Sequence, residues 1–284
     1  MSYGHFLAFM SVFFWSALYV CVKVLLEEFS ALELLFMQFV LGYVFLLLLK
    51  PKILKIPLKQ ELWFMLSGLC GITIYNLFLN LALEKTYASN VSVIIATAPL
   101  FSAIFAFSAK IEKPYKNFFI GFVFCIVGIY LLSFGGSAFS FSPLGDILAL
   151  ISAMGWGAYA IFILKITKMD YDLILSTRKI IFYGIIFMMP AFLFLDFSPN
   201  LNALLKPKIL FNLLFVALFA SGICFILFNK ATLLIGAIKT NIYVYLTPII
   251  TIIASLIVLD ENLSLTAFIG STITLLGVVI SERR

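Results

Sequence analysis

Residues able to make or break covalent bonds are scarce in this sequence. It has one histidine, His5, and four cysteines, Cys21, Cys70, Cys125 and Cys224, none of them in a CxxC pair. Neither a zinc site nor a disulfide framework is indicated by that set. No Asp or Glu stands in the middle of an apolar stretch, and the nearest, Glu33 and Glu84, lie towards the ends. An integral membrane enzyme would need a nucleophile with its base, a metal site or paired carboxylates. The sequence offers none of these convincingly, so no enzyme activity is expected and no cofactor is implied. What it offers is binding chemistry: polar and aromatic side chains at helical spacing inside apolar stretches.

Ser11, Trp15, Tyr19 and Lys23 recur at steps of four, and Ser152, Trp156 and Tyr159 repeat the pattern later. Such spacing puts each set on one face of a helix. The rings could form an interfacial belt. Trp15 and Trp156, about a dozen residues into their stretches, fit the wall of a cavity better. Aromatic walls suit a flat, aromatic or cationic solute. Thr73, Asn76, Asn80 and Glu84 form another face, with Asn229 and Gly222 in a related stretch. Asn76 is expected to line a cavity. Asn80 and Asn229 could do so or bind helices together. Lys239 and Tyr243 share a face of the most polar stretch, which also holds Thr240, Asn241, Tyr245 and Thr247. Lys239 could hold an anionic group or reach to the membrane interface. Pro99 and Pro248 each remove a backbone hydrogen bond within a stretch, which predicts kinks and candidate gates.

These residues need elements that can carry them in lipid. Of the 284 residues, 64% are hydrophobic and 11% charged, against about a quarter charged in soluble domains. A membrane span takes roughly 20 apolar residues. Ten such stretches are predicted, over 3–25, 31–49, 61–83, 88–109, 117–134, 144–165, 172–195, 209–231, 236–259 and 265–281. The first is read as a retained helix, because it lacks a basic leader and a small-residue cleavage site. Ten spans place all but Lys23, Lys85, Lys206 and Lys208 of the 19 Lys and Arg on the side of the termini. That bias predicts cytoplasmic termini and accounts for the net charge of +6, with no nucleic-acid partner expected.

The chain also repeats itself. A shift of 149 residues brings Asn80 onto Asn229, Ala88 onto Ala237, Pro99 onto Pro248, Glu112 onto Glu261, Gly121 onto Gly270 and Gly128 onto Gly277. A shift of 141 brings Leu7, Ser11, Trp15 and Ala17 onto Leu148, Ser152, Trp156 and Ala158. The fold class predicted is an all-α integral membrane protein of two five-helix repeats, 1–136 and 137–284. Five is odd, so the second repeat is expected to be inverted, as in secondary transporters.

Two five-helix halves, each with a Pro in its fourth helix and then Glu–x8–Gly–x6–Gly, resemble the EamA-type drug/metabolite transporter superfamily. The residues are Pro99, Glu112, Gly121, Gly128 and Pro248, Glu261, Gly270, Gly277. The family often carries an Arg in the second helix of a half; here Gln38 stands at that place in the first half and Arg178-Lys179 in the second. The resemblance implies a bacterial inner-membrane carrier, monomer or homodimer, with a central cavity. It implies a small-molecule substrate, often an amino acid or other metabolite for export, with multidrug or cation efflux as the alternative.

Overall fold

A computed structural model describes residues 3–85, 91, 94–111, 113–134, 142–247, 249–251 and 265–282. The regular structure of the described residues is all helical, and no strand occurs among them. The elements are α1 (Tyr3–Leu25), α2 (Ala31–Leu49), α3 (Leu58–Lys85), α4 (Ala98–Ser108), α5 (Lys116–Phe134), α6 (Pro143–Thr167), α7 (Leu173–Met188), α8 (Pro207–Ile235), α9 (Ala237–Ile242, continued by a 3-10 turn at Tyr243–Leu246) and α10 (Leu265–Glu282). Among the described residues α1, α2, α3, α6, α8 and α7 together with the 3-10 turn that continues it to Leu193 are long and apolar enough to cross a membrane. Each element of the described residues overlaps one of the predicted stretches, and six of them have the length of a span.

Local chemistry starts these helices. Ser30 caps α2 and Glu33 reaches back to the Ser30 N–H, a reciprocal pair that satisfies two of the free donors of the first turn. Asp172 caps α7 by accepting from the Leu175 N–H at 3.1 Å. The surface is the reverse of a soluble protein's. Leu48, Phe107, Phe119, Val123 and Leu276 are exposed, while Ser11, Gln38, Asn76, Asn80, Ser152 and Asn241 are buried. Lipid is the solvent that such a surface fits.

Pro99 lies in the first turn of α4, after a break at Ala96 and Thr97. The mid-helix kink predicted there is replaced by a helix start, where a missing N–H costs nothing. Pro248, Glu112 and Glu261 lie outside the described residues.

Contacts between the two halves come in matched sets. α1 packs on α8 and α6 on α3; α2 packs on α8 and α7 on α3; α1 meets α9 and α6 meets α4. α2 meets α7, α4 meets α9 and α5 meets α10. The α5–α10 seam is the tightest. A Cβ on Gly121 would come within 2.5 Å of the Gly277 carbonyl, and one on Gly128 within 2.6 Å of that of Gly270. Residue numbers rise along one helix as they fall along the other, so the pair runs antiparallel. Only glycine admits so close an approach of two backbones.

Candidate functional site

The first and third helices of both halves meet at a cluster of rings. Trp15 of α1 stands edge-on to Trp156 of α6, with centroids 5.1 Å apart and planes at 90°. Phe228 of α8 touches both indoles, at 5.3 and 5.0 Å, and Phe225 lies 5.2 Å from Trp15. Tyr75 of α3 and Tyr159 of α6 complete the cluster against Trp156, at 4.7 and 5.2 Å. Edge-on and tilted packing suits the ring quadrupoles, each pair adding about 0.5–1.5 kcal/mol beyond burial.

The indoles are held by their N–H groups. Trp15 donates to the Ala220 carbonyl at 2.9 Å. Trp156 donates to Asn241 Oδ1 at 2.8 Å, and Asn241 is itself held by its Nδ2 on the Ala237 carbonyl at 2.9 Å. Trp15, Tyr19, Trp156 and Tyr159 therefore face inward, while Lys23 at the end of the first stripe is exposed.

Why Ala220 has a carbonyl to give follows from the backbone. α8 widens into π-helix over Phe215–Ile223, and α3 does the same over Gly68–Ile74. The wider turn moves hydrogen bonds from i→i+4 to i→i+5 and leaves carbonyls for side chains. Around the α3 segment Asn76 Nδ2 donates to the carbonyls of Gly71 and Ile72 at 2.9 and 3.1 Å, and Ser152 of α6 donates to that of Tyr75 at 2.7 Å. Thr73 donates to the Gly184 carbonyl of α7 at 2.8 Å.

Two small cavities flank the rings, each of about 20 Å³, room for one water molecule. Trp15, Tyr19 and Tyr75 line both and form a diaphragm between them. The first cavity adds Asn76 and Ser221; the second adds Trp156, Val244 and Thr247. None of the lining residues carries a formal charge at neutral pH.

The remaining candidates lie elsewhere. Asn229 accepts from Tyr159 at 2.7 Å and donates to Thr177 of α7 at 3.1 Å. Asn80 donates to the Ala31 carbonyl at 3.4 Å. Both join helices, the alternative role open to them. The Tyr243 hydroxyl sits 2.8 Å from His5 Nδ1, and Lys239 is half-buried in the first turn of α9; neither lines either of these two cavities. Tyr75, Ser221, Phe225 and Phe228 were not candidates in the sequence. Tyr75 falls on Cys224 under the repeat, so symmetry gave no sign of it, and two more Phe among 32 carry no signal.

The profile of the EamA-like transporter family matches residues 2–134 and again 143–282. The chain is 26% identical over 287 residues to an uncharacterized transporter of Archaeoglobus fulgidus, covering 99% of this chain and 97% of that one. It is also 26% identical over 274 residues to the uncharacterized transporter YdfC of Bacillus subtilis, covering 93% and 86%. A solved crystal structure superposes with a TM-score of 0.78 at 16% identity, covering 99% and 98% of the two chains, which shows a shared fold.

Proposed function

The chain belongs to the EamA-like transporter family, and from that premise we propose a secondary carrier that exports a small metabolite, an amino acid or related organic solute, across the inner membrane by alternating access. The observation that carries this reading is the ring diaphragm between two water-sized cavities, where α1, α3, α6 and α8 converge. A flat part of the solute would lie against Trp15, Trp156 and Tyr75. Its polar part would donate to Asn76 Oδ1 and share hydrogen bonds with the hydroxyls of Tyr19 and Thr247. Uncharged walls favour a neutral or zwitterionic solute, since an isolated charge loses its hydration there.

The two halves, 1–136 and 137–284, are inverted repeats in this proposal. Support comes from the α5–α10 seam. The repeat shift carries Gly121 to Gly270 and Gly128 to Gly277, so it turns the Gly121–Gly277 contact into the Gly270–Gly128 contact. Two contacts that exchange under the repeat, in an antiparallel pair, are what a two-fold axis in the membrane plane produces. The matched cross-half contacts point the same way.

The test is counterflow in vesicles containing the purified protein, run with neutral and zwitterionic amino acids, nucleosides and aromatic cations. Saturable exchange of a neutral or zwitterionic solute is expected. Exchange of cations alone would favour cation efflux, for which the aromatic rings lining the two cavities are the supporting feature. No exchange of any solute would overturn the carrier.

A further inference from the structure

Two straps join second helices to third helices, one in each half. The first, 50–57, is extended and links α2 to α3. The second, 189–206, holds short 3-10 turns at Met189–Leu193 and Leu201–Leu205 and links α7 to α8. They lie at opposite ends of the α2–α7 pair, because Lys50 at the end of α2 meets Asp172 at the start of α7, while Glu33 at the start of α2 meets Ser198 beyond the end of α7. Each strap is pinned by the other half, and by the same register. Arg178 stands six residues past the Asp172 cap, and Phe36 stands six past the Ser30 cap.

The pins differ in chemistry. Arg178, only 5% exposed, donates one guanidinium nitrogen to the Lys50 carbonyl at 2.5 Å and the other to the Lys52 carbonyl. Lys179 donates to the Leu54 carbonyl at 3.1 Å and pairs with Glu61 at 2.6 Å. Tyr183 donates to the other Glu61 oxygen at 2.6 Å. At the other end Phe36 packs edge-on against Phe192 and Phe197 of the second strap, at 5.3 and 5.5 Å, and those two rings lie 4.7 Å apart. The polar ties there are the Ser198 N–H on Glu33 at 2.7 Å and the outlying pair Lys206–Glu28 at 2.6 Å.

We propose that the straps are the two gate latches, a charged one at the lysine-rich face and an aromatic one at the opposite face, so that each gate can be loosened without the other. The proposal rests on the carrier reading above. Removing Lys179 leaves the Glu61 carboxylate half-enclosed without its cation, and the cheapest remedy is to admit water from the adjacent face. Removing the Phe36 ring opens a gap in an apolar contact and touches no charge.

The test uses a chain whose four cysteines are replaced and whose Ser221, in the first cavity, is changed to Cys. It is placed in vesicles of one orientation and labelled by a membrane-impermeant maleimide from either face. Lys179→Ala and Glu61→Gln should each raise labelling from the lysine-rich face about tenfold, in line with loss of one charge-assisted bond. Tyr183→Phe, which removes the other hydrogen bond to Glu61, should raise labelling from the same face. Phe36→Ala should raise labelling from the opposite face alone. Unchanged rates would overturn the latches, as would an equal rise from both faces. Labelling reads shape and not flux, so a chain that moves no solute in the counterflow test still answers this one.

Discussion

The indole N–H groups are the smallest parts on which the binding reading depends. Trp156→Phe keeps a ring in place but leaves Asn241 Oδ1 without its donor, a loss of about 1–3 kcal/mol for a buried polar group. Trp15→Ala and Trp156→Ala remove the ring pair itself. In vesicle transport each is expected to raise the half-saturation concentration about tenfold, while the protein still inserts, as checked by membrane extraction and a monodisperse elution profile. Normal transport by both alanine variants would remove the pair from the site. Their inward face was legible in the sequence, because steps of four repeated in both halves. Asn80 and Asn229 matched across the halves too, and they join helices instead. A repeated amide is needed equally for packing and for binding, so repetition alone could not separate the two roles.

Elements were legible to the extent that lipid dictates them. An apolar run of roughly 20 residues has few alternatives in a membrane, and the helices fall where such runs are. The π-helical widening of α3 and α8 was not legible, since a shift of one residue in hydrogen bonding leaves no period in side-chain type. The charged strap was hidden for a different reason: its lysines serve equally to orient a chain. The seam of α5 and α10 gives a sharp expectation. Gly128→Leu drives its side chain into the backbone of Gly270 and Thr274, and overpacking of this kind costs about 1–3 kcal/mol. Gly277→Leu, its counterpart reached from the other helix, should lower the melting temperature in detergent by a similar amount. The start of α7 responds to acid. Partial burial pushes the Asp172 carboxyl up, but the hydrogen bond from Lys50 and that from the Leu175 N–H outweigh it, so it lies below its ordinary value. A depressed acid stabilises the fold above its unfolded pKa of about 4, and that gain is lost as pH falls through the folded value. Melting curves between pH 6 and pH 3 should show this loss, and Asp172→Asn should reduce it.

At the scale of the whole molecule, the lysine-rich loops predict the orientation. Reporter fusions at Lys52 and Lys113 should read cytoplasmic, and a signal from the other side at either would reverse the chain and every statement about which gate faces where. The ring diaphragm has a bearing on more than recognition. Its two cavities hold about one water each and are separated by Trp15, Tyr19 and Tyr75. Protons cross low-dielectric barriers along unbroken files of water, and bare ions pay heavily to enter such a barrier. On the carrier proposal, a water file cut at its centre would make the unloaded protein an insulator. The expected outcome is that vesicles carrying the protein without solute keep an imposed proton gradient as long as empty vesicles do.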